Sequence, residues 1–196
     1  SYLITNTTMN MDRLVIKQIL GNEQVTQYYV VSLIGKTLVL LIAPINTIVI
    51  SYLTKRKERL TRSQFGKAVL AGGGVSLAFF VACQIGTPLF VWLFYRNLYE
   101  SVKGIVTVVN LAQILGLFSA FLFILVLTFT DERWQLWIQL AHFCILLVSS
   151  VLAARTYGMM GFAVASLGAN SLRVAAVVIL GIVKAGKDKG DRNADR

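Results

Sequence analysis

Two cations stand inside stretches that are otherwise free of charge: Lys36 within residues 25–54 and Arg173 within residues 156–183. A charge near the centre of a bilayer costs about 2.5–3.5 kcal/mol on insertion scales, so such groups normally face a cavity or a partner. Every Asp and Glu other than Asp12 falls in a connection or in the C-terminal tail, which leaves neither cation with an evident carboxylate. Two unpaired cations imply an aqueous cavity, an anionic ligand, or an acid supplied from elsewhere. Phosphate or diphosphate oxygens would suit both. The competing reading is that both side chains reach toward an interface or toward carbonyls at a helix end.

Around these two lie weaker polar signals. Arg173 continues a four-residue spacing with Gly161, Ala165 and Ala169, a small-residue face that packs on neighbouring helices, so Arg173 is expected to point inward. Asn110, Gln113, Gln84 and Asn170 can line a polar path or hydrogen-bond between helices. His142, the single histidine, suits either a proton relay or a packed, hydrogen-bonded role. Asp12 reads as a counter-ion to Arg13 or as a carboxylate for cation coupling.

Other chemistries are excluded by what these residues lack. Cys83 and Cys144 form no CxxC pair and read as unreactive thiols. No metal-ligand cluster and no Ser/His/Asp set with a credible base is present. Gly35-Lys36-Thr37 mimics the end of a phosphate-binding loop, but the upstream glycine position is Val30. The sequence predicts no enzyme, no cofactor and no metal.

The elements that must position these groups are long apolar helices. Hydrophobic residues make up 56% of the 196 and charged ones 14%, against about 25% charged in soluble domains. Residues 68–95, 104–130 and 134–154 carry no formal charge, while 25–54 and 156–183 carry one each. Each block exceeds the roughly 20 residues that cross a hydrocarbon core. Runs such as residues 121–127, Phe-Leu-Phe-Ile-Leu-Val-Leu, do not alternate as barrel strands would. The expected fold is all-α, a polytopic transmembrane bundle of about six helices. Residues 1–184 form the lobe and 185–196 a charged tail. Residues 2–20 read as the end of a truncated first helix, with a surface-lying amphipathic helix as the rival, and the chain is read as a piece of something longer.

The net charge of +10 sits where membrane topology places it, which argues against a nucleic-acid partner. Lys55, Arg56, Lys57, Arg59, Arg62 and Lys67 cluster in one connection; Lys184, Lys187, Lys189, Arg192 and Arg196 cluster at the end. Both clusters are expected in the cytoplasm. Alternation then puts residues 21–24, 96–103 and the region of Arg155 outside, and 131–133 inside. Tyr28, Tyr29, Tyr52, Trp92, Tyr95, Tyr99, Trp134, Trp137 and Tyr157 are expected at headgroup level. Pro44 and Pro88 can bend their helices, and Gly72-Gly73-Gly74 can admit a neighbouring backbone.

Several stretches resemble the carboxy-terminal lobe of polysaccharide flippases, the lipid-linked oligosaccharide branch of the multidrug and oligosaccharidyl-lipid exporter superfamily. Residues 10–21, Asn-Met-Asp-Arg-Leu-Val-Ile-Lys-Gln-Ile-Leu-Gly, followed by Tyr28-Tyr29 and a long span with Pro44, look like that family's seventh helix, outer loop and eighth helix. The basic connection 55–62, the ending Phe90-Val91-Trp92-Leu93-Phe94-Tyr95 and a last pair of spans joined at Tyr157-Gly158 follow the same pattern. The resemblance implies transport of a polyprenyl-diphosphate sugar across the cell inner (cytoplasmic) membrane, in lipopolysaccharide or exopolysaccharide biosynthesis. It implies that Lys36 lies in a central cationic cavity, to which Arg173 adds, with Asp12, Asn110, Gln113 and Asn170 as a possible polar path or coupling set. Partners would be the lipid-linked oligosaccharide, membrane lipids, and an amino-terminal lobe or a second copy, since family members have two lobes. The alternatives are a multidrug or small-cation exporter of the same superfamily, a membrane-embedded transferase, or a structural membrane subunit.

Overall fold

The computed structural model describes residues 2–55, 61–127, 130 and 132–187, and among these it is helical throughout, with no strand. Six helices follow in order: α1 (Tyr2–Ile19), α2 (Asn22–Lys55), α3 (Arg62–Phe94), α4 (Arg96–Val102), α5 (Val106–Leu127) and α6 (Glu132–Lys187). The expected all-α bundle is what forms. The basic connection from Arg56 to Arg59 and most of the charged tail lie outside the described residues, as does Asp131.

Local signals account for the breaks between helices. Gly21, at φ 98°, turns the chain between α1 and α2, a left-handed conformation that glycine adopts freely. Thr61 opens α3 through a capping box, accepting from the Gln64 backbone N–H while the Gln64 side chain accepts from the Thr61 N–H. Pro44 and Pro88 stand inside continuous helices, α2 and α3.

The decisive break is Gly158. Its φ of 61° and ψ of −144° interrupt α6, separating a first arm, α6a (132–157), from a second, α6b (159–187). A continuous helix would hold His142 and Asn170 about 42 Å apart. Instead their side chains meet at 3.1 Å, so the arms fold back against each other. This is the reversal expected at Tyr157-Gly158.

Among the described residues, four helices are long and apolar enough to cross a membrane: Asn22–Val49, Arg62–Phe94, Val106–Leu127 and Leu136–Ala185. The last holds both arms of α6. This composition is consistent with an integral membrane protein. α1 packs on α2 and α6, burying Met11, Val15 and Ile16 and exposing Leu14.

α5 is the axis of the bundle, packed on α2, α3 and α6. Half of its apolar window is buried, against 6% for α3, which turns Leu70, Leu77, Ile85 and Leu89 outward. In water such a face would be a liability, but in lipid it is the ordinary surface of a spanning helix.

Close approach to α5 depends on small residues opposite large ones. A Cβ at Gly35 would meet Gln113 at 2.9 Å, and one at Gly72 would meet the Phe121 ring at 2.7 Å. Of the three adjacent glycines, Gly72 alone makes so close an approach, and it admits aromatic side chains rather than a backbone; Gly74 faces open space. Within α6, Gly161 lies against the carbonyl of Ala153, across the Gly158 turn.

Of the aromatics expected at headgroup level, four are exposed and one is a correction. Trp92, Trp134, Trp137 and Tyr157 are exposed. Tyr28 is not at a surface: it is 3% exposed, its ring edge-on to Phe162 at 5.1 Å. The α1–α2 turn brings it under α6b, where it joins the core.

Candidate functional site

The cations occupy separate settings. Lys36, on α2, is ion-paired with Asp12 of α1, and both are largely buried, with side chains 24% and 10% exposed. The expectation that Lys36 lacks a carboxylate is therefore corrected. Residues 24 apart are brought together because the Gly21 turn lays α1 along α2, a tertiary effect that no local spacing reveals. Asp12 also accepts from the Arg13 backbone N–H at 2.9 Å, while the Arg13 guanidinium lies over the Tyr29 ring at 4.5 Å instead of pairing with Asp12.

Asp12 and Lys36 thus form a near-neutral unit. The neighbouring Gly35 presses on Gln113 of α5, which ties the pair to the axis of the bundle. As a binding site, Lys36 is available to an anion only when Asp12 releases it.

Asn110 belongs to a different structure, a polar clamp between α3 and α5. Its amide nitrogen donates to the Cys83 carbonyl at 3.1 Å and to Gln84 Oε1 at 2.9 Å, while Thr87 donates to its Oδ1 at 3.2 Å. Gln84 donates onward to Thr107 at 2.9 Å. Asn110 is fully buried with both amide hydrogens used, so it holds two helices together and faces no open path.

Arg173 is set differently from Lys36. It lies midway along α6b with its guanidinium over the Phe123 ring at 5.4 Å. Its Nε is buried without a hydrogen-bond partner, and no carboxylate pairs with it among the described residues. A buried donor left unsatisfied costs about 1–3 kcal/mol, and more when charged.

Beside it, a pocket of about 100 Å³ opens between the arms of α6, lined by His142, Ile145, Leu172 and Arg173 with four further apolar residues. The walls are apolar and the polar groups are His142 and Arg173, a pairing the sequence did not suggest because 31 positions and a chain reversal separate them.

Asn170 fixes the chemistry of that histidine. Its Nδ2 donates to the Ala112 carbonyl of α5 at 2.8 Å, which turns its Oδ1 to His142 Nε2 at 3.1 Å. An amide oxygen only accepts, so Nε2 carries the hydrogen and Nδ1 is the ring nitrogen that can take a proton. Asn170 is accordingly a tie between α5 and both arms of α6 rather than the lining of a path.

Among the described residues, no group of three His, Cys, Asp or Glu gathers to hold a metal. At the opposite end of the bundle from Arg62, Lys103 donates to Glu100 at 2.5 Å, and that bond and charge hold the Lys103 ammonium above its ordinary pKa. An exposed pair of this kind contributes little to stability.

No family model, curated protein or solved structure matches the chain.

Proposed function

We propose that this chain is one lobe of a membrane transporter that moves the anionic headgroup of a lipid-linked oligosaccharide, a polyprenyl-diphosphate sugar, across the cytoplasmic membrane. Arg173 carries the reading. A guanidinium midway along an apolar helix, with a buried donor unmet and a pocket at its side, calls for an oxyanion. Such transport needs no covalent catalysis, only a hydrated route and two gates; the lobe would rock against an amino-terminal lobe or a second copy. In this reading the basic end, with Arg62, Lys67 and Lys184, faces the cytoplasm. The resemblance of residues 10–21 and of the Tyr157-Gly158 reversal to polysaccharide flippases supports the same assignment.

The test is mass spectrometry of lipids that co-purify with the protein from its own membrane. Enrichment of a polyprenyl-diphosphate sugar, retained in Arg173→Lys and lost in Arg173→Gln, is the expected result. Its reproducible absence would turn the assignment toward an exporter.

The Asp12–Lys36 pair favours that second reading, a small-cation exporter in which a cationic substrate displaces the Lys36 ammonium from Asp12. Asp12→Asn separates the two in the protein that still folds, because it abolishes cation export and leaves the Arg173-dependent enrichment of lipid.

A further inference from the structure

The Arg173 pocket contains one more group able to become positive, and the bundle fixes which of its ring nitrogens carries the hydrogen. The Ala112 carbonyl orients Asn170, and Asn170 directs the hydrogen of His142 to Nε2. With Nε2 committed as a donor, a proton from bulk water can add only at Nδ1, which converts the neutral ring to imidazolium without breaking the Asn170 bond. Arg173, across the pocket on α6b, is the charged residue that acts on His142 electrostatically, and Asn170 is its polar neighbour on the same helix.

Two cations lining one apolar pocket repel, and both lose solvation there. An oxyanion between them reverses the balance, satisfying the buried Arg173 Nε and compensating both charges. We propose that the Arg173–His142 pocket binds a phosphate-type oxyanion together with one proton, the proton residing on His142. This rests on the reading of Arg173 as a substrate-binding cation and adds to it a coupling: at fixed pH the ligand loads the proton, and a more acidic medium tightens the ligand. The walls, Ile145 and Leu172 among them, favour an oxyanion attached to something apolar, such as a lipid headgroup, over a freely hydrated ion.

Because His142 is the only histidine, histidine-selective 15N labelling yields the imidazole signals of this residue alone. In phosphatidylcholine nanodiscs near neutral pH, the expected spectrum is the neutral ring with hydrogen on Nε2. Sulfate serves as the probe, since its own charge is constant between about pH 5 and 8 where histidine titrates. If the pocket opens to water, sulfate moves both nitrogens to imidazolium and raises the apparent pKa of His142 by about one unit, a tenfold coupling. If the oxyanion arrives as a headgroup, replacing part of the phosphatidylcholine with phosphatidylglycerol does the same without sulfate. Either response, absent in Arg173→Gln and restored in Arg173→Lys, supports the proposal. A wild-type ring that carries its hydrogen on Nδ1, or that ignores both anions, overturns it. Failure of this inference is distinguishable from failure of the transport reading: co-purified polyprenyl-diphosphate sugar with an unresponsive ring removes the proton coupling alone, and a responsive ring without that lipid leaves an anion site and removes the flippase.

Discussion

Lys36 and Asp12 are held in an ion pair across the α1–α2 interface, and this contact changes what either residue can do alone. Removing the carboxylate strands an ammonium in an apolar setting. Removing the lysine leaves a carboxylate that still accepts from the Arg13 backbone N–H.

Asp12→Asn is accordingly expected to destabilise the protein by about 2–3 kcal/mol, less than the 3–5 kcal/mol typical of breaking a fully buried pair because Lys36 keeps some exposure. Lys36→Met should cost less. The double variant should lose less than the sum of the two, and thermal unfolding in detergent as a double-mutant cycle measures that coupling.

Asn110→Ala removes three inter-helix hydrogen bonds, to Cys83, Gln84 and Thr87. Such bonds in membrane bundles average roughly 0.6 kcal/mol each, so a loss of about 2 kcal/mol is expected. The surviving folded protein should bind lipid as the wild type does. Selective loss of lipid binding at unchanged stability would instead make Asn110 part of a transport path.

Glycine substitutions should divide by what stands opposite them. A Cβ at Gly161 would fall 2.1 Å from the Ala153 carbonyl oxygen, and Gly158 sits near a backbone region that only glycine populates. Gly161→Ala and Gly158→Ala should each lower stability by about 1–3 kcal/mol. At Gly74, in the middle of α3, nothing lies within 4 Å, and Gly74→Ala should stabilise by about 0.5–1 kcal/mol through helix propensity. Thermal melts of the three variants check the contrast.

Reversal at Gly158 places Tyr157 at the same end of the bundle as α4, and Arg62 at the other. On a background with Cys83 and Cys144 replaced by serine, Tyr157→Cys and Ser101→Cys should react with a membrane-impermeant maleimide from one side of sealed vesicles, and Arg62→Cys from the opposite side. Labelling of Tyr157→Cys and Arg62→Cys from one side would undo the hairpin topology.

By itself the sequence determined the helical class, the approximate spans and the reversal at Gly158, because these follow from local quantities. Uncharged runs longer than about 20 residues demand intramolecular backbone pairing in lipid, and a glycine between two such runs permits a turn. It also singled out Lys36, Arg173, Asp12, His142 and Asn170, since polar groups stand out against apolar neighbours. Their partners were decided only by the tertiary structure. Whether Lys36 meets a carboxylate depends on how α1 lies against α2, and whether Arg173 meets His142 depends on how two arms of α6 settle after the chain turns. The same holds for Tyr28, whose place in the core rather than at a headgroup belt is set by α6b packing over it. A residue type fixes which charge or hydrogen bond is on offer, but the pairing requires contacts between segments that share no local pattern.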